Sequence, residues 1–256
     1  MKDTKCPEFY MVSIPLFLDD VLRVVQTKYT AFKVKELDSG YLLHLFFSRV
    51  FGSASPKPFF VSSKQGTKAK VLAYSDLDAK ALLEIAKQFT TPEEFEAIDW
   101  TQVASKPMPA SWARGRILRF DVLACPVVRS AKDTKFYKKG AEVDVFLQRC
   151  TNQGEGKTLE RQAVYCEWCK SQIEKDGAAT ALDVMVRSFR LTRIFRNSHN
   201  GGSGVKQKWC LRPEVRFSGL IEVLDQEKFS RLLRRGIGRH RAFGFGMLLL
   251  APARGA

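Results

Sequence analysis

The chain has 256 residues, 45% of them hydrophobic, with 42 Lys and Arg against 27 Asp and Glu and a formal net charge of +15. That length holds one large domain or two small ones with their own cores, and the composition excludes wholesale disorder. So large a cationic excess repels itself on folding and points to a polyanionic partner, nucleic acid ahead of a membrane surface. No apolar run approaches the roughly 20 residues that span a bilayer, and Met1-Lys-Asp-Thr-Lys5 leads into no signal-peptide core. A cytoplasmic protein with no membrane partner is expected. The six cysteines do not resemble a secreted disulfide framework. Only Cys166-Glu-Trp-Cys169 has ligand spacing. Without a second such pair or a His pair it reads as small residues on a helix, so neither metal nor cofactor is expected.

In chain order, residues 8–16 alternate as a strand, and residues 17–35 mix helical and extended signals and stay unassigned. Asp38 and Ser39 offer caps for a short, very apolar helix over 41–51, which Gly52-Ser-Ala-Ser-Pro56 breaks. Residues 58–63 and 69–74 read as two strands around the polar turn Lys64-Gln-Gly-Thr67, and 78–89 as an amphipathic helix. Residues 105–111, with two prolines among small residues, are the best linker. Beyond it come a strand over 116–128, a basic stretch over 129–139 and an extended piece over 141–147. A helix over 159–175, strands over 181–195 and 208–225, a helix over 226–235 and a final strand over 243–251 complete the chain. Each half thus reads approximately β-α-β-β-α-β, with the first half's last strand unclear. The fold expected is α+β, two tandem ferredoxin-like modules over 1–104 and 114–256 joined by a linker over 105–113.

The most distinctive string is Arg234-Arg-Gly236-Ile-Gly238-Arg239-His240-Arg241-Ala-Phe243-Gly244-Phe-Gly246-Met-Leu-Leu-Leu-Ala251-Pro252. A dinucleotide fingerprint would need a third glycine where Arg241 stands and a strand-to-helix order, whereas here the helix comes first. Glycines permit close backbone approach or positive φ, and Arg239, His240 and Arg241 add donors for phosphate oxygens at the same place. A tight turn against the sheet accounts for some of these glycines; the basic centre favours RNA contact at Gly236, Gly238, Arg239, His240, Arg241, Gly244 and Gly246. This ending, GIGxxRAFGFGMLLLAP, resembles the C-terminal glycine-rich signature of the repeat-associated proteins of CRISPR systems, and within them the CasE branch of repeat-processing endoribonucleases from type I-E Cascade.

RNA cleavage without a metal needs a base of near-neutral pKa to take the 2′-hydroxyl proton. The chain has three histidines, His44, His199 and His240. Tyr41 and His44 are spaced i, i+3, on one face of the apolar helix. Alone, a histidine on such a helix reads as a hydrogen-bonded core residue. The string Tyr41-Leu-Leu-His44 resembles the Tyr-x-x-His motif on the first helix of CasE-type enzymes, which implies that His44 is the principal catalytic residue and Tyr41 positions or stabilises the reacting group. His240 is the second choice of base, and His199, in a polar turn, reads as surface or RNA-contacting. The resemblance further implies cleavage of CRISPR precursor RNA at repeat stem-loops, retention of the product and partnership with other Cascade subunits.

Residues 187–216 carry Arg187, Arg190, Arg193, Arg196, Lys206, Lys208, Arg212 and Arg216 against the single acid Glu214. This reads as a long cationic hairpin, either simply solvated or gripping the phosphates of an RNA stem. A second basic patch holds Lys135 and Lys138 beside Phe136 and Tyr137, which can stack on unpaired bases or simply pack. The rival to an enzyme is a non-catalytic RNA-binding scaffold of the same fold. A general RNA-binding protein of the translation machinery is the weaker third reading.

Overall fold

The computed structural model describes residues 8–28, 39–153, 159–199 and 205–253. β1 (Tyr10–Phe17) alternates as expected and buries Val12, Ile14 and Leu16. The unassigned stretch opens with a helix, α1 (Leu18–Lys28), whose Asp19 and Asp20 complement the positive helix start. Its Val21, Val24 and Val25 are buried, the one-sided pattern of a surface helix. α2 (Ser39–Phe51) is apolar nearly all round, with Leu43, Phe46, Phe47 and Val50 wholly buried. Its narrow outward stripe includes His44 and Ser48. The cap expected at Asp38 lies outside the described residues.

β2 (Phe59–Gln65) and β3 (Lys68–Ser75) form the expected hairpin. α3 (Ala79–Phe89) starts where the Asp78 carboxylate accepts from the Ala81 N–H at 2.8 Å. Thr91 and Glu94 close a capping box on the short α4 (Pro92–Glu96). β4 (Ala104–Pro107) then pairs antiparallel with β1, Tyr10 opposite Pro107 and Ser13 opposite Ala104. The strand that the sequence leaves unclear therefore occupies the start of the segment read as a linker. Proline is tolerated there because β4 is an edge strand. The strand order β2-β3-β1-β4 is that of a ferredoxin-like sheet.

The second half repeats this order. β5 (Ile117–Ala124) is followed by a small ladder of β6 (Val127–Arg129) and β7 (Glu142–Asp144). Next come α5 (Val145–Gln153), α6 (Arg161–Glu174), the long strands β8 (Ala179–His199) and β9 (Val205–Val223), α7 (Gln226–Arg235) and β10 (Leu249–Pro252). The sheet order is β10-β5-β9-β8. Three expectations are corrected. The strand over 116–128 divides at Cys125-Pro126. Residues 145–147 are helical, Asp144 Oδ1 accepting from the Phe146 N–H at 2.8 Å. The final strand is only four residues long, because Gly244 and Gly246 take φ of 86° and 80° and hold the preceding stretch as a loop.

β5 pairs with β9 only over Val215 to Glu222, so beyond Val215 the β8–β9 hairpin continues as a two-stranded ribbon. Two irregularities in β8, between Ala181 and Asp183 and between Val186 and Ser188, mark its bends. The first sheet's face opposite its helices is not left open. Phe9 and Tyr74 share one core with Trp112, Phe120, Phe217 and Leu248 of the second half, and Met11, Phe60 and Leu72 pack against it. The Tyr74 hydroxyl donates to the Leu248 carbonyl at 2.7 Å inside that core. Among the described residues no helix is long and apolar enough to cross a membrane. Tyr74→Phe leaves the Leu248 carbonyl without this buried donor and is expected to lower unfolding free energy by about 1–3 kcal/mol. Urea denaturation at an unchanged m-value checks it, and an unchanged midpoint would contradict the bond's importance.

Candidate active site

Tyr41 and His44 project from α2 with ring centroids 6.2 Å apart. The glycine-rich loop brings Phe243 to both rings, edge-on, at 5.6 Å from Tyr41 and 4.9 Å from His44. The helix of the first half thus meets the loop of the second through aromatic edges. Tyr41 is buried, only 5% exposed, while His44 is half-buried. Ser48 Oγ lies 3.5 Å from His44 Nδ1, and Nε2 has no hydrogen-bond partner among the described residues. Burial of the ring, and secondarily the Lys57 ammonium, hold the His44 pKa below the ordinary histidine value. The imidazole is therefore neutral at physiological pH, the form that accepts a proton.

The loop is shaped by contacts within the chain. At Gly246 a Cβ would stand 2.2 Å from the Ile237 carbonyl oxygen, and at Gly238 it would stand 2.8 Å from the Trp168 indole. Gly236 and Gly244 also have positive φ, against Pro58 and Phe59. The Ile237 N–H donates to the Gly246 carbonyl at 2.9 Å, and the Gly246 N–H to Leu123 at 2.7 Å. All four glycines expected at RNA are thus accounted for by backbone crossing and ring packing.

The basic centre of the loop is likewise not all turned outward. Glu142, 1% exposed, accepts from Arg239 Nε at 2.6 Å and lies 3.0 Å from His240 Nε2 and 3.5 Å from Arg212 Nε. The His240 side chain is 5% exposed, so the second-choice base is held by a buried carboxylate, not presented to substrate. Arg241 donates to the Arg235 carbonyl at 2.6 Å. Its pKa is pushed down by burial and then by Arg235 and Arg239. A groove beside the loop is lined by Lys57, Arg234, Arg235, Arg239 and Arg241, with Asp76 as its acid and Phe243 at one end. Asp76 pairs with Arg234 at 2.8 Å, and Arg235 pairs with Asp176. The groove keeps a cationic excess near His44, a surface suited to an anion.

The sequence reading missed Lys57, Phe243 and Glu142. Lys57 lies just before β2 and Phe243 in the turn Arg241–Phe243, with nothing in their spacing to tie them to His44. Glu142 is one acid after a basic run, and only folding places it against residues 239 and 240.

On the hairpin, Arg187 donates to Ser218 Oγ at 2.5 Å, Arg190 pairs with Glu214 at 2.6 Å, and Arg193 is exposed. Arg216 pairs with Asp121 at 2.9 Å, so the ribbon's base is better balanced than its sequence indicates. Arg196, Lys206 and Lys208 occupy β8 and β9, but their side chains lie outside the described residues, as do that of His199 and the whole glycine tip. Ile194 packs with Cys125, Val127 and Phe245, anchoring the ribbon to the glycine-rich loop. Lys135 and Lys138 are exposed on the β6–β7 connection. Lys135 Nζ sits 5.9 Å from the ring centre of Phe136, which is 66% exposed, while Tyr137 is half-buried. On α6, Cys169 is buried and its thiol pKa pushed up by burial, and Cys166 is half-buried. Among the described residues no group of three His, Cys, Asp or Glu could hold a metal.

The sign of the Lys57 effect is testable. Removing this cation relieves the destabilisation of the protonated ring, so Lys57→Gln is expected to raise the His44 pKa. NMR titration of the His44 ring C–H signal checks this, and a midpoint that stays in place, or moves to lower pH, would show that Lys57 does not act on the ring.

A model of the family described as "CRISPR associated protein" matches residues 21–252. The CRISPR-associated endoribonuclease Cse3 of Thermus thermophilus is 31% identical over 149 residues, which cover 57% of this chain and 61% of that protein. The match thus spans about three-fifths of the curated relative's length. The structure of Thermus thermophilus Cse3 bound to an RNA representing a pre-cleavage complex is similar at a TM-score of 0.56 and 19% identity, covering 96% of this chain and 100% of that one. A chain of a CRISPR RNA-guided surveillance complex in a pre-nicking state is similar at a TM-score of 0.56 and 16% identity, over 95% of this chain and 100% of the other. These likenesses carry the double ferredoxin-like fold, and the family match extends over nearly the whole molecule: this chain belongs to the CRISPR-associated protein family.

Proposed function

We propose that this protein is an endoribonuclease that cleaves CRISPR precursor RNA at repeat stem-loops without a metal. One observation carries the reading: a half-buried His44 whose Nε2 has no hydrogen-bond partner among the described residues, seated beside a cationic groove. In the proposed reaction the ribose 2′-hydroxyl gives its proton to His44 Nε2, and its oxygen attacks the adjacent phosphorus. The bond from phosphorus to the 5′-oxygen breaks, and that oxygen takes a proton from solvent. The products are a 2′,3′-cyclic phosphate and a 5′-hydroxyl end. Lys57 and the groove arginines meet the charge that grows on the phosphoryl oxygens. Tyr41, being buried, acts by packing the site, with Phe243, around the base.

The hairpin arginines, Arg187, Arg190 and Arg193 foremost, are assigned to the stem phosphates. Lys135, Lys138 and the exposed Phe136 are assigned to unpaired RNA beside the stem. The name of the curated relative, an endoribonuclease, supports the activity. The RNA-bound Cse3 structure supports the substrate class. The likeness to a surveillance-complex chain supports retention on the mature guide RNA as a Cascade subunit.

The test is incubation of the pure protein with repeat stem-loop RNA in excess EDTA, followed by mapping of both new ends. Wild type is expected to cleave at one bond, leaving cyclic phosphate and 5′-hydroxyl termini. His44→Ala is expected to lose about 10²–10⁴-fold in single-turnover rate with RNA affinity nearly intact. Cleavage that stops in EDTA would overturn the metal-free chemistry. Full activity in His44→Ala would remove this residue as the base, and binding without any cleavage by wild type would leave an RNA-holding scaffold.

A further inference from the structure

We infer that Glu142 is a positioning residue for the proposed cleavage, setting the pose of His44 from the far side of the glycine-rich loop. The inference rests on the reading of His44 as the base. It comes from a continuous chain of contacts. The Glu142 side chain on β7 is 1% exposed and lies against three neighbours, Arg239 at 2.6 Å, His240 at 3.0 Å and Arg212 at 3.5 Å. His240 stacks on Phe243, with centroids 5.8 Å apart and rings inclined by 23°. Phe243 in turn meets His44 edge-on at 4.9 Å.

Two physical features make this more than a packed neighbourhood. His240 has a φ of 60°, the sole positive value among non-glycine residues described. A side chain in that region persists only where its surroundings over-determine it. The Glu142 contact, together with the Phe243 N–H donating to the His240 carbonyl at 2.8 Å, supplies that determination. The turn that follows, Arg241–Phe243, takes its direction from this residue, and so does the ring that abuts His44. Second, Arg239, Arg241 and Arg235 crowd one short stretch, where burial first, and then the charges of Arg235 and Arg239, push the Arg241 pKa down. The buried Glu142 carboxylate pairs with Arg239 at 2.6 Å and so lowers the repulsion that closing the loop on α2 must overcome. Through Arg212 the same carboxylate also reaches β9, so hairpin, loop and base share one anchor.

Glu142→Gln keeps the side chain's shape and removes its charge. The expected result is at least a tenfold fall in single-turnover rate at saturating protein, with the Kd for stem-loop RNA within about threefold of wild type. A second readout is direct. The chain has only three histidines, so the His44 ring C–H signal can be assigned by substitution, and its shift reports the edge-on Phe243. It is expected to move in Glu142→Gln. Phe243→Leu, which breaks the far end of the chain and spares Glu142, is expected to reproduce the rate loss and decides the matter should Glu142→Gln not fold. Wild-type saturating rate and an unmoved His44 signal in folded Glu142→Gln, or a wild-type rate in Phe243→Leu, would overturn the inference. His44→Ala separates the two claims. If it abolishes cleavage while these variants do nothing, only the role of Glu142 fails.

Discussion

Between Gly236 and Gly246 the backbone crosses itself at a distance that no Cβ permits. A Cβ on Gly236 would lie 2.6 Å from the Gly246 oxygen, and one on Gly246 would lie 2.2 Å from the Ile237 oxygen. A loop pinned in this way cannot slide, because each strand of the crossing blocks the other. From that crossing the chain projects the Arg241–Phe243 turn toward α2 and then enters β10 beside β5. The contact between His44 and Phe243, the shape of the cationic groove and the register of the last strand all follow from it. The glycines serve the site indirectly. They are the mould of the loop and of the groove beside it.

Electrostatics divides the same region in two. The chain as a whole carries +15, yet Arg239 of the loop and Arg212 of β9 are gathered on the buried Glu142 side chain, whereas the groove side of the loop retains a cationic excess. Repulsion is relieved where the backbone has to close, and preserved along the open groove. The hairpin follows a similar plan at its base, where Arg190 and Arg216 are paired with Glu214 and Asp121 and Arg193 is exposed.

Much of the fold is legible in the sequence because burial there is one-sided or complete. The alternation of Val12, Ile14 and Leu16, the apolar run of α2 and the cap at Asp78 each leave a local signature. β4 leaves none. It has four residues, three of them exposed, and ends in proline, so neither alternation nor composition separates it from a loop. The end of the chain misleads in the opposite sense. Phe243, Phe245, Met247 and Leu248 look like a strand, but Gly244 and Gly246 among them take positive φ and break the extended run. At the site, Tyr41 and His44 are readable only through the resemblance of Tyr41-Leu-Leu-His44 to the Tyr-x-x-His motif, because their spacing by itself reads as part of a buried helix face. Glu142 and Lys57 are not, because their roles depend on which distant residues the two sheets bring near them.

The shared core beneath the site bears on how the molecule is divided. Phe9 and Tyr74 are interior to a cluster built mostly from the second half, and the Tyr74 hydroxyl is tied to Leu248 there. Each half furnishes a wall of the other's interior, so a cut between them would bare a greasy surface on both fragments. Topologically the chain is a duplication, but its interior is held in common. His44 on one repeat and the groove shaped by the other are thereby tied together through that interior.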